Sequence, residues 1–204
     1  MTTGTRDVDD LVLFDLEPVR LPDEPAAPAT PPETTVDALI VGTDGACSGN
    51  PGPAGWAWVD QHGTWRSGGL VRGTNQVAEL LAVLHAVRDH MHVRELTVEI
   101  DSAYAMKTYM EWMDPAARRG WTTQAGKPTS NVEVIMDMMR ARNARRDAGL
   151  PPVRFVKVKG HAGGKYPMND AADDRATNAS AQVRTARAVG PWAGDGMVIK
   201  AARR

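Results

Sequence analysis

The stretch ALIVGTDGACSGNPGPAGWAWVDQHGTWRSGGL, Ala38 to Leu70, decides the fold. Ala38 to Thr43 is a short apolar run that stops at Asp44-Gly45. Gly55 to Val59 and Thr64 to Leu70 are two further runs flanking a turn at Gln61-His62-Gly63. Runs of this length, separated by Gly, Pro and Asn, predict three strands in an antiparallel meander.

Working outward, Gln76 to His90 carries Val77, Leu80, Leu81, Leu84 and Val87 on one stripe and Ala78, Ala82 and Ala86 behind it. A helix apolar on nearly all sides is buried on nearly all sides. Leu96 to Ile100 reads as a fourth strand, followed by a helix from Ser102 to Trp112. Asn131 to Arg146 is helical, with Val132, Ile135, Met136 and Met139 at helical spacing. Arg145 and Arg146 suit its negative end, and Gly149, Pro151 and Pro152 stop it. Val153 to Val158 alternates apolar and basic residues as a half-exposed strand, and Asn169 is expected to cap a last helix reaching Val183. The order β-β-β-α-β-α-α-β-α predicts an α/β or α+β fold, a five-stranded mixed sheet flanked by α-helices.

The 204 residues suit one globular domain plus some tail. No run is long and apolar enough to span a bilayer, and the acidic start lacks the pattern of a secretory signal, so a cytoplasmic protein is expected. The single Cys47 excludes an internal disulfide framework and a cysteine-rich zinc site. The net charge of −1 hides an asymmetry. Residues 1–36 hold eight acids against Arg6 and Arg20, while the remainder holds 22 basic and 17 acidic side chains. Six of the fourteen prolines lie between Pro18 and Pro32. Residues 1–35 are therefore expected to be an acidic, disordered tail, 36–183 the folded domain, and 184–204 an extension of undecided structure.

Three acids stand where buried elements should carry no lone charge: Asp44 and Asp101 at the ends of strand runs, and Glu79 in the apolar helix. Each also has a plain explanation, as a turn residue, a helix cap and a first-turn acid favoured by the helix dipole. If the first and fourth strands are parallel neighbours, Asp44 and Asp101 emerge at one sheet edge, where open α/β sheets place their sites. Hard oxygen ligands gathered there would suit magnesium or manganese.

Four segments in order, TDGACSGNPGPAGWA (Thr43 to Ala57), GTNQVAELLAV (Gly73 to Val83), IDSAYAMK (Ile100 to Lys107) and VKGHAGGKYPMNDAADDRA (Val158 to Ala176), closely resemble type 1 ribonuclease H. The resemblance runs from Ala38 to Ala181 without large gaps. It implies a ribonuclease H-like fold and an endonuclease that hydrolyses the RNA strand of RNA–DNA hybrids, leaving 3′-hydroxyl and 5′-phosphate ends, with roles in primer and R-loop removal. The family's catalytic, metal-binding carboxylates map to Asp44, Glu79, Asp101 and Asp173. The implied cofactor is Mg2+, two ions per site, with Mn2+ as a substitute: one ion between Asp44 and Asp173, the other held by Asp44, Glu79 and Asp101.

For the fourth carboxylate, Asn169, Asp173 and Ala176 fit the family frame. Asp174 is turned ~100° around the helix from its neighbour, and Asp170 suits the helix N-terminus. His161 matches a histidine that assists proton transfer and product departure, on a loop whose Gly163-to-Pro167 segment is longer than the family pattern.

The resemblance further implies that Asn50, Thr74, Asn75, Gln76 and Lys159 contact substrate. Asn50-Pro51-Gly52 as a tight turn and Asn75 as a helix cap are compatible readings. Ala103 stands where the family often has a substrate-contacting glutamine. Glu111 to Lys127 corresponds to a basic protrusion that grips the DNA strand, retaining Arg118, Arg119, Trp121 and Lys127 but carrying Asp114, Ala116 and Ala117 at positions often cationic or aromatic. Fewer cations predict weaker, less salt-dependent binding. Residues 10–14, Asp-Leu-Val-Leu-Phe, resemble the peptide by which bacterial replication proteins dock on the sliding clamp, with Leu11 to Phe14 as the apolar part and Asp10 replacing a glutamine. A monomer is expected. An exonuclease of the same fold would want a D-x-E pair on the first strand, which Asp44-Gly45-Ala46 lacks. A non-catalytic hybrid binder would have lost a carboxylate, and none is lost.

Overall fold

The structure is a computed structural model that describes residues 36–160, 164–186 and 188–194. His161, the Leu11–Phe14 peptide and the terminal arginines lie outside the described residues. The meander is present: β1 (Val36–Cys47), β2 (Gly52–Asp60) and β3 (Trp65–Gly73) pair antiparallel in sequence order. After α1 (Asn75–Asp89), β4 (Val93–Ile100) returns parallel to β1, as the placement of Asp44 and Asp101 required. β5 (Arg154–Lys157) lies parallel beyond β4. Between β4 and β5 come α2 (Ala103–Lys107), a π-helical turn (Thr108–Trp112), α3 (Met113–Arg118) and α4 (Val132–Asp147). The long α5 (Pro167–Ala186) and a short β6 (Trp192–Gly194) follow, giving the sheet order β5-β4-β1-β2-β3-β6.

Two glycines of β1 show how the layers close. Gly42 and Gly45 are an odd number of residues apart and so face opposite sides of the sheet. A Cβ on Gly45 would strike the backbone of Ala78 and Glu79 in α1, and one on Gly42 the backbone of Met168 and Asn169 in α5. The helices thus press on the two faces of the central strand with no side chain between. Leu80, Leu81, Leu84 and Val87 of α1 are buried on the sheet with Val41, Val98 and Ile100, and α4 closes this core through Ile135 and Met138. Each such side chain contributes ~1.5–3 kcal/mol relative to exposure.

The structure corrects four expectations. The sheet has six strands, because Trp192–Gly194 pairs with Trp65–Ser67 and Val189 accepts from Gly69 N at 2.7 Å. Three residues are too few to show strand alternation in a sequence. The helix after β4 is interrupted by the π-helical turn, which sends Tyr109 inward and leaves Met110 and Trp112 exposed. Asn169 does not cap α5, which starts two residues earlier; its buried side chain donates to Thr43 O at 2.9 Å, tying α5 to β1. Arg145 does not face solvent at its own helix end. It is 1% exposed, and its guanidinium donates to His90 O, Val93 O, Arg94 O and Pro151 O at 2.6–3.2 Å. It therefore satisfies carbonyls at the end of α1 and the start of β4 that no helix bond reaches.

Candidate active site

Each plain reading of the three acids is removed by the local structure. Asp44 is not in a turn: it sits within β1, opposite Ala57 of β2. Asp101 is not the cap of α2, since the Ser102 hydroxyl takes that part, accepting from Ala105 N at 3.2 Å. Glu79 lies past the first turn of α1, which contains no acid, and the cap there is Thr74, whose hydroxyl accepts from Val77 N at 3.2 Å. None of the three is accounted for by turn or helix-end chemistry.

The four candidate carboxylates act on one another. Asp44 is pushed up to about 9, first by burial and then by the charges of Asp101, Asp173 and Glu79. Glu79 is raised to about 7 by burial and Asp101, while the Asn75 amide and the Lys157 charge oppose the rise. Asp173 thus belongs to the group that charges Asp44. Asp170 is used elsewhere, accepting from Gly164 N at 2.8 Å and so holding the incoming loop to α5. At Gly45 the backbone of Glu79 lies directly against the residue that follows Asp44. A second close contact sets Asp101: a Cβ on Gly160 would collide with its carboxylate. Among the described residues no three acidic, His or Cys side chains are gathered closely enough to hold a metal ion as they stand. What the group has is hard oxygen donors and surplus negative charge, both of which a divalent cation satisfies.

Around this group, Asn75 donates its side-chain amide to Glu79 Oε1 at 2.7 Å and its backbone N–H to Asn50 Oδ1 at 3.4 Å. Asn50 and Gln76 are exposed, as is Lys159. The cap role expected of Asn75 falls to Thr74. Arg118, Arg119 and Lys127 are exposed on a separate element, the end of α3 and the turn after it, whereas Trp121 packs partly on the core. Asp114 is not a bare negative charge there: Arg142 of α4 donates two bonds to it at 2.5 and 2.9 Å and lowers its pKa. Sequence reasoning missed Lys157, Gly160 and the Asn169 link to β1. A lysine in an alternating strand gives no sign that its ammonium turns back on the chain.

The RNase H family profile matches residues 37–181. The ribonuclease H of Tropheryma whipplei (strain Twist) is 35% identical over 163 residues, 77% of this chain and 94% of that protein. The chain belongs to the RNase H family. A second relative, the ribonuclease H of Bordetella avium, is 37% identical over 76% of this chain and 96% of its own length. The fold is shared with the N-terminal RNase H domain of a Mycobacterium tuberculosis protein, at TM-score 0.56 and 20% identity over 75% of this chain and 100% of that one. It is also shared with a type 1 RNase H bearing the type 2 active-site motif, at TM-score 0.61 and 22% identity over 81% and 80% of the two chains. Family membership makes the chain a nuclease, a ribonuclease H acting on RNA paired with DNA. No helix among the described residues is long and apolar enough to cross a membrane.

Proposed function

We propose that the enzyme is an endonuclease that cuts the RNA strand of hybrids with the help of two divalent cations, Mg2+ in the cell and Mn2+ as a substitute. The observation that carries this is the crowding of Asp44 by three other carboxylates. Asp44 and Asp173 would hold one cation and Asp44, Glu79 and Asp101 the other. When bound, the cations supply a more acidic attacking water and neutralise charge on the leaving 3′-oxygen.

The chain's own residues do the rest. Asn75 orients Glu79 through its amide. Asn50, Thr74, Asn75 and Gln76, at the turn and the N-terminus of α1, read the sugars and hold a DNA phosphate where backbone N–H groups and the helix dipole favour an anion. Lys159 adds a charge on the substrate's approach. Arg118, Arg119, Trp121 and Lys127 grip the DNA strand, and His161 assists proton transfer and product departure. A foamy viral protease-reverse transcriptase, 23% of whose chain shares this fold, has been solved with an RNA/DNA hybrid, in keeping with a hybrid as substrate here. We assign the enzyme to the cytoplasm as a monomer that removes primers and R-loops. The acidic segment before residue 36 docks through Leu11–Phe14 on a sliding clamp, which a synthetic peptide of residues 6–18 would test.

The deciding assay is gel analysis of labelled RNA–DNA hybrid, RNA duplex and single strands with Mg2+, Mn2+ or chelator. Hybrid-specific RNA products with 5′-phosphates, absent in chelator, are expected. Asp44→Asn should lose cleavage while still binding hybrid. Cleavage that persists in chelator, or a variant retaining more than a small fraction of the rate, would overturn the two-cation reading.

A further inference from the structure

Asp101 leaves β4 at a point where its own carbonyl has no helical partner. The first bond of α2 is Met106 N to Ser102 O at 3.2 Å, one residue too late to use it. The parallel ladder also runs out there, with Ile100 opposite Lys157 as its last pair and Val158 N donating to Ile100 O at 2.9 Å. The carbonyl is taken instead by a side chain. Lys157 Nζ donates to Asp101 O at 2.5 Å and to Val158 O at 3.0 Å, joining the two strand ends just beyond the ladder.

A strand lysine at an exposed position ordinarily extends into water, because an ammonium is strongly hydrated and its stem is free to rotate. Here two of its three donors are spent on the chain, at the residue that carries a candidate ligand. On the other side of Asp101, Gly160 lies against the carboxylate. The aspartate is thus bracketed by Lys157 at its backbone and Gly160 at its side chain. The ammonium is also a cation within the field of Glu79. A fixed positive charge beside a group of carboxylates relieves part of their repulsion and by the same Coulomb term disfavours an arriving cation.

We infer that Lys157 is a positioning residue of the carboxylate site, clamping the Asp101 turn between two carbonyls while its charge weakens divalent-cation binding. The inference rests on the carboxylate reading proposed above. These two actions have opposite consequences for cation affinity and for turnover, so they separate Lys157 from a residue that merely supports the fold. Removing the charge tightens cation binding, and releasing the turn slows turnover.

Mn2+ alone, titrated by calorimetry at low salt into the full-length protein, is the direct test. Lys157→Met should bind Mn2+ about threefold more tightly than wild type, a modest factor because the side chain is exposed to solvent. On hybrid its kcat should fall with KM unchanged, since the role proposed for Asp101 is to hold a cation and not to bind the hybrid itself. Lys157→Arg, which keeps the charge, should restore wild-type Mn2+ affinity. Lys157→Gln provides a second neutral variant with the same expectation, should the Met variant fail to fold. Neutral variants that bind Mn2+ as wild type does, or more weakly, overturn the inference and leave the carboxylate site standing. A wild-type protein that binds no Mn2+ overturns both.

Discussion

Replacing Asp44 with Asn removes the most crowded negative charge at nearly unchanged size, and in chelator the protein should become more stable for it. The folded carboxyl is pushed up to about 9 from an ordinary value of 3.8 by burial and three neighbouring carboxylates. At pH 7 the unfolded chain ionises this group freely while the fold resists, a difference with an upper limit of ~4 kcal/mol. Asp44 is half-buried and shares protons with its neighbours, so screening and coupling reduce this to ~2 kcal/mol. The native state binds more protons than the unfolded one. Stability is therefore fully present below pH ~4 and is lost as pH rises through the folded values. Those values are about 7 for Glu79 and about 9 for Asp44.

Scanning calorimetry in chelator at pH 7 should place the Tm of Asp44→Asn ~5 °C above wild type, the shift for ~2 kcal/mol in a domain of this size. The gap should shrink toward zero near pH ~4, where the unfolded chain also holds the proton and no longer gains by ionising. Added Mg2+ should close it from the other direction, by stabilising wild type more than the variant. A variant no more stable than wild type in chelator at pH 7, or a gap unchanged by acid, would refute the crowding argument.

Three further outcomes are expected. Arg145→Met removes the donor from four carbonyls inside the fold and should lower urea-derived stability by ~3 kcal/mol, with Arg145→Lys recovering only part because an ammonium lacks the planar fork. Gly160→Ala should cut kcat on hybrid by ~10-fold or more with little change in Tm, since the new methyl meets the Asp101 carboxylate rather than the core; unchanged kcat would argue against Asp101 as a ligand. Removing residues 1–35 deletes eight acids and two arginines, so anisotropy titrations should show tighter hybrid binding at low salt and no difference once salt screens the charge. A weaker low-salt affinity would mean the segment contacts substrate.

How much was legible follows from the range over which each signal acts. α1 was readable because its apolar stripe and alanine back are local patterns with a helical period, and the meander because turn residues punctuate it at short intervals. Asp44, Glu79 and Asp101 could be suspected singly, but their plain explanations held until hydrogen bonds showed Ser102 and Thr74 capping the helices. Arg145, Asn169 and Lys157 each reach at least one partner 51 or more residues away, which no local pattern specifies. Arg145 in particular looks in sequence like a helix-end cation beside Arg146, and only the packing of α4 on the end of α1 distinguishes them. β6 is short enough that its pairing with β3, not its composition, makes it a strand.

The same contacts explain how a fold tolerates four mutually repelling carboxylates at one edge. Left mobile, such side chains would move apart, and the site would lose the charge density that attracts cations. Here the backbones carrying them are held by contacts with no slack. Gly45 lets α1 sit directly on β1, Gly42 and Asn169 fasten α5 to the opposite face, and Lys157 with Gly160 brackets the Asp101 turn. Repulsion that cannot be relieved by movement must be relieved by proton uptake or cation binding, and the pKa of Asp44, raised first by burial and then by its three neighbours, carries part of that constraint. It follows that loosening a contact that carries no charge of its own should lower cation affinity even with all four carboxylates intact, whereas at Lys157 the loss of its positive charge outweighs the loosening. Asn169→Ala, which deletes the bond to Thr43 O but touches no ligand, is the cleanest instance. Its Mn2+ affinity should drop several-fold while Asp44 moves back toward its ordinary pKa, and an unchanged affinity would mean the carboxylates are held by their own side-chain packing instead.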